Sequence, residues 1–164
     1  MAKSLLMVVL LLTSFLYAQT ESNEKNKVPI VIEADSFEYD NKQKIAVYKD
    51  NVIVRKGDFT LWSNLMRVYF DENSKIKEII AEGNVKFEKG LYKGKANKGI
   101  YNANKEIIRL IGNAMVKKKS NILEGDEIIY YMKEDKAVVI GKNKKVRTII
   151  VPEEMNKKNK GKGK

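Results

Sequence analysis

The chain has 164 residues, with 32 Lys and Arg against 21 Asp and Glu, a net charge of +11, and neither Cys nor His. That length accommodates one domain. The missing residue types exclude thiolate and imidazole nucleophiles, His general bases, Cys/His metal sites and any disulfide framework.

In chain order, Lys3, the apolar run Leu5 to Leu16 and the small residue Ala18 have the layout of a secretory signal peptide over residues 1–18, cleaved after Ala18. The run is shorter than the roughly 20 apolar residues that span a bilayer, which favours cleavage over the competing reading, an uncleaved anchor. With no Cys at the junction a lipoprotein is excluded. Residues 19–27 are expected to form a flexible segment, 28–152 the folded domain and 153–164 a disordered Lys-rich tail, since the tail has too little apolar surface to bury. Its lysines either solubilise the chain end or draw it to an anionic membrane or glycolipid.

Within the domain a pattern recurs about every 30 residues. Four segments open on Asn followed by apolar alternation: Asn51-Val52-Ile53-Val54, Asn84-Val85-Lys86-Phe87, Asn113-Ala114-Met115-Val116 and a degenerate Asn143-Lys144-Lys145-Val146. A second set, Ala34-Asp35, Ser63-Asn64, Ala96-Asn97 and Gly125-Asp126, runs in step with them. The spacings are 33, 29 and 30 in the first set and 29, 33 and 29 in the second, which places one insertion between Asn64 and Asn84. A fixed period of this length marks stacked supersecondary units, whose function lies along an extended surface.

The local texture is β. Val52 and Val54 alternate with Ile53 and Arg55, and Val85 and Phe87 with Lys86 and Glu88. Turn signals fall at Asp40-Asn41, Lys56-Gly57-Asp58, Asp71 to Ser74, Lys89-Gly90, Asn102 to Asn104 and Glu134-Asp135. Pro29 and Pro152 bracket the region, as residues that cannot donate to a ladder should. Sequential hairpins with strands of about 6 to 8 residues follow.

Parity assigns the faces. Val52, Val54, Val85, Phe87, Ala114 and Val116 share one; Tyr39, Tyr101 and Tyr130 hold equivalent places, with Val68 in the expanded unit. Glu33, Glu38, Arg55, Lys86 and Arg109 fall on the other. Two apolar faces either close on each other as a sandwich core or line a trough, and the pattern leaves both open.

The stretches Pro29 to Asp35, Asp50 to Val54, Gly112 to Val116, Ser120 to Tyr130 and Lys145 to Pro152, in this order and with these gaps, resemble the LptA/OstA-like family of periplasmic lipopolysaccharide-transport proteins over essentially all of 28–152. The resemblance implies an all-β, repeat-built antiparallel β-jelly roll, slightly twisted, V-shaped and open at both ends. It implies a periplasmic, non-enzymatic bridge of the Gram-negative envelope that needs no cofactor. Such a bridge carries lipopolysaccharide from the inner-membrane LptB2FG complex with LptC to the outer-membrane LptD/LptE translocon. The segment Lys89 to Lys95 is shorter than the family suggests and the hairpin at 64–84 differs.

Shielding acyl chains from water is worth about 0.8 kcal/mol per CH₂, which a trough supplies without a covalent step. Candidate groove residues are Ile30, Ile32, Val52, Val54, Val85, Phe87, Tyr101, Leu110, Ile128 and Tyr130; the resemblance singles out Ile30, Phe87 and Tyr101. Arg55, Lys86, Lys93 and Lys95 are candidates for meeting lipid phosphates at its rim. Open ends leave two unpaired edges, Ile30, Val31, Ile32 and Glu33 at one and Val146, Arg147, Thr148, Ile149 and Ile150 at the other. Edges of this kind invite head-to-tail strand addition by a second copy, LptC or LptD, with Lys144, Lys145 and Arg147 available to a neighbour's Glu33 or Asp35. The alternatives are an LptC-like anchored component of the same fold and a secreted carbohydrate-active enzyme using paired carboxylates, although no unique acidic pair stands out. Nucleic-acid binding is disfavoured, because Tyr39 and Tyr101 share the apolar face instead of lying among the lysines.

Overall fold

Each of the first three units of the repeat bends a strand at its Asn. In the computed structural model, which describes residues 28–152, ten strands form one antiparallel sheet. The expectations for 1–18, 19–27 and 153–164 lie outside the described residues. The strands are β1 (Val31–Glu33), β2 (Ser36–Asp40), β3 (Ile45–Lys56), β4 (Phe59–Phe70), β5 (Ile76–Lys89), β6 (Tyr92–Asn102), β7 (Ile107–Lys118), β8 (Asn121–Tyr131), β9 (Lys136–Ile140) and β10 (Arg147–Ile149). From β3 to β8 they follow as a meander, with β1 and β2 sharing β3 and with β9 and β10 sharing β8. Among the described residues the two ends of the sheet do not pair with each other, so the roll is open.

The six central strands run 11 to 14 residues, longer than the 6 to 8 expected. Each joins two segments of the expected length across a bend. On β3, β5 and β7 the bend is two consecutive left-handed residues, Asp50-Asn51 (φ 62° and 51°), Gly83-Asn84 (77° and 50°) and Gly112-Asn113 (79° and 48°). The ladder register shifts at those points, between Lys49 and Val52, Glu82 and Val85, and Ile111 and Ala114. Gly and Asn are the residues that enter this region most easily, and an extra residue in one strand bends the sheet. The repeated Asn is therefore a corner residue.

The second sequence set is the other side of the same corner. Asn51 Nδ2 donates to Asp35 Oδ2 at 2.7 Å, and Asn84 Nδ2 approaches Asn64 Oδ1 at 3.5 Å. In the degenerate fourth unit, Asp126 Oδ2 accepts the backbone N–H groups of Lys142, Asn143 and Lys144 at 2.6, 2.5 and 3.0 Å. The small residues fill the inside of the bend: Ser63, Ala96 and Gly125 are buried, and a Cβ on Gly125 would lie 2.6 Å from Val139. The insertion lengthens the β4–β5 hairpin, whose register shifts again between Tyr69 and Phe70.

Because the six long strands bend at the same level, the sheet folds over itself and the apolar faces of its two halves meet. One cluster joins Val52 and Val54 from beyond the bend to Ala46, Met66 and Val68 from before it. A second joins Ala96 and Ala114 to Leu110 and Ile128. The core lies between the halves of one sheet.

Candidate functional site

The inward side chains line up in rows that cross the sheet. In one half, Tyr39, Ala46, Val68, Ile79, Tyr101, Ile108, Tyr130 and Ala137 are successive cross-strand neighbours. In the other half the row runs Ile32, Val54, Leu61, Phe87, Gly94, Val116, Leu123 and Thr148. The equivalent places in successive units are apolar because each faces the opposite half. The result is two facing apolar strips along the roll.

Burial is deepest beside the corner, and in the half before the bend it extends to Ala46 and Val68 in the Tyr101 row. Val52, Val54, Val85, Leu110 and Ile128, within a few residues of the bends, are 1 to 9% exposed. Ile32, Phe87, Tyr101 and Tyr130 are half-buried. Ile30 precedes β1 and is 39% exposed. The apolar surface thus has a buried part beside the corner and half-buried residues farther out. The Tyr130 hydroxyl marks the outer depth: it donates to Asp135 Oδ1 at 2.7 Å, and that bond, ahead of desolvation, raises its pKa.

The outward face is charged and largely self-paired in the half before the bend. Glu82 accepts Lys98 Nζ at 2.9 Å and also binds Arg67; Lys98 first, then Arg67, holds its carboxyl below the usual range. Arg109 Nε donates at 2.7 Å to Glu127, whose side chain is only 5% exposed, with Lys142 at 3.5 Å. The four candidate rim cations also have outward parity, so none of them faces between the apolar strips. Arg55 and Lys93 are near hairpin ends and are paired with Glu33 and Glu88. Lys86 and Lys95 stand farther from the ends, behind the apolar face and directly opposite each other.

The edges are shorter and more numerous than expected. Val31–Glu33 and Arg147–Ile149 are strands, while Ile30, Val146 and Ile150 flank them and are exposed. Two further half-strands, β2 and β9, complete the ends of the sheet. Their signal was the turn at Asp40-Asn41 and at Glu134-Asp135, which implies a strand on each side. Phe37 of β2 is 45% exposed, with its ring 4.9 Å from that of Tyr48. All the charges foreseen for a neighbour except Lys145 have partners within the chain: Glu33 binds Arg55, Asp35 accepts from Asn51, Arg147 lies 3.4 Å from Glu124 and Lys144 donates to Asn113 at 2.9 Å.

Similar proteins share this architecture. Residues 31–136 match the family model described as LptA/(LptD N-terminal domain) LPS transport protein. The lipopolysaccharide export system protein LptA of Escherichia coli strain K12 is 30% identical over 140 residues, 80% of this chain and 75% of that protein. LptH of Pseudomonas aeruginosa is 30% identical over 109 residues; the match spans 62% of each protein. The crystal structure of LptH, titled the LptA-homologous periplasmic component of the lipopolysaccharide transport device, superposes with a TM-score of 0.66 at 25% identity, covering 76% of this chain and 96% of that one. The open sheet, the corner repeat and these matches agree: the chain belongs to the LptA/(LptD N-terminal domain) lipopolysaccharide-transport family.

Proposed function

We propose that this protein binds lipopolysaccharide by its acyl chains between the two apolar strips and conveys it across the periplasm for outer-membrane assembly. The observation that carries this reading is the run of the strips: buried or half-buried apolar side chains extend from Ile32 on β1 to Leu123 on β8, interrupted only by Gly94, and among the described residues no strand pairs the two ends of the sheet. A closed sandwich would bury the Phe87 and Tyr101 positions as deeply as Val52 and Val85, and they are more exposed. Binding that shields CH₂ groups in one unit and the next lets a lipid advance without a bond being made or broken. The role is transport and not catalysis.

The partners follow from the edges. A second copy adds head to tail, and the ends dock on LptC with the LptB2FG complex at the inner membrane and on LptD/LptE at the outer membrane. In support, the matching family model covers the N-terminal domain of LptD as well as LptA, so a like-folded partner offers a compatible edge. Photoreactive residues at Phe87 and Tyr101 are expected to capture lipopolysaccharide in an extract of envelope-assembling cells, and one at outward Arg109 is not. Equal capture at both parities overturns the proposal.

A further inference from the structure

The half of the chain beyond the bend differs from the rest of the molecule. Residues 28–34, 52–63, 85–96, 114–125 and 144–152 carry 12 Lys and Arg against 4 Asp and Glu, whereas the other half of the described chain carries 12 against 13. The positive charge of the fold is concentrated on one side of the corner. On that side Ile53, Trp62, Lys86, Lys95 and Met115 are successive cross-strand neighbours on five adjacent strands. An open concavity of about 580 Å³ follows the same row.

Lys86 and Lys95 are the unusual members. Like charges directly opposite each other on adjacent strands destabilise a sheet. Lys93, which faces Lys117, relieves such repulsion with Glu88, and Lys98 is paired with Glu82. Among the described residues neither Lys86 nor Lys95 has a side-chain hydrogen bond or ion pair. Two unneutralised ammonium groups in a positive field form a site for a doubly charged anion, and a phosphate monoester presents oxygens to both. Beside them Trp62 offers an indole, an apolar plate of the size of a sugar ring.

From this arrangement we infer that the Trp62–Lys86–Lys95 row binds a phosphorylated saccharide on the face opposite the apolar strips. The ligand chemistry rests on these three side chains; its being the glycan end of a lipid held by the other face rests on the function proposed above. A lipid bound at both places would straddle the sheet edge, acyl chains within and phosphorylated sugar without.

Trp62 is the only Trp in the chain, so its fluorescence reports this site alone. Titration of the full chain with glucose 1-phosphate at low ionic strength is expected to give a saturable change in emission. The affinity should fall at least tenfold in Lys86→Gln and in Lys95→Gln and stay unchanged in Lys42→Gln, which lies in the other half. Lys95→Glu is expected to abolish binding while raising the urea midpoint, because it replaces a repulsion by an attraction; a purely structural lysine would lose both together. Glucose and inorganic phosphate, added separately, should each bind more weakly than the ester. A linear response, equal loss in Lys42→Gln or binding unaffected by Lys95→Gln overturns the site. Lipopolysaccharide capture at Phe87, measured on the same variants, tests the inner-face reading separately: its absence alongside a normal titration overturns that reading and leaves the saccharide site standing.

Discussion

Phe87 and Gly94 stand directly opposite each other on β5 and β6, and the Phe87 ring covers Gly94 so closely that a Cβ has no room there. An aromatic ring laid over a cross-strand glycine fills the gap that the missing side chain leaves in the inward row. Gly94→Ala is expected to drive the ring off its place and destabilise the fold by about 1–3 kcal/mol, the range for overpacking a tight site. Phe87→Ala, at a half-buried position, should lose roughly half of the 3–5 kcal/mol typical of a fully buried Phe. Urea denaturation of the two variants checks both, and a full core-sized loss in Phe87→Ala would show that no trough exists there.

The corners respond to substitution by backbone geometry. Gly83 and Gly112 have φ of 77° and 79°, and a Cβ on them would lie 2.7 and 2.6 Å from the side-chain nitrogens of Asn64 and Asn97. Gly83→Ala and Gly112→Ala should each cost about 1–3 kcal/mol in equilibrium unfolding. Asn84→Gly, at φ 50°, is expected to be nearly neutral, whereas Asn84→Val, a β-branched residue in the left-handed region, should destabilise strongly.

Acid should loosen the end of the sheet that carries β10. Backbone N–H groups of Lys144, then Asn143, with a smaller share from Lys142, hold the Asp126 carboxyl below its usual range. A carboxyl with a depressed folded pKa stabilises the fold above the ordinary carboxylate pKa and loses that contribution as pH falls through the folded value. Amide exchange at Lys142, Asn143 and Lys144 is therefore expected to accelerate, relative to a neutral-pH reference corrected for intrinsic rates, once the pH drops below the usual Asp range. In Asp126→Asn this acid step should be absent.

Edge pairing can be tested by parity. Truncation before β10 would uncover the β8 segment it covers and create a fresh edge, so point substitutions are cleaner. Successive N–H groups of an edge strand point alternately to its partner and away. Of Thr148→Pro and Ile149→Pro, one should break the β10–β8 ladder and lower stability, and the other should leave the fold intact while stopping concentration-dependent rod growth in light scattering. Undiminished rods in both variants would remove this edge from the assembly.

The sequence alone determined the unit and its parity. Asn51, Asn84 and Asn113 repeat because few residues accept a left-handed φ, and Val52, Val85 and Ala114 follow each of them on one face because side chains alternate in a strand. Both are local constraints, so they are legible in one dimension. That each Asn lies in the middle of a 12- or 14-residue strand, and not at the start of a short one, was decided by the ladder, since hydrogen bonds to β4, β6 and β8 continue on both sides of the bulge. Tertiary structure also decided depth. Val85 and Phe87 carry the same signal two residues apart, yet the distance from the corner buries one and leaves the other half open. The same holds for the lysines: parity turned Lys86 and Lys95 outward, but only the register between β5 and β6 set them face to face. Long-range pairing fixes which charges meet, and no local pattern in the chain encodes it.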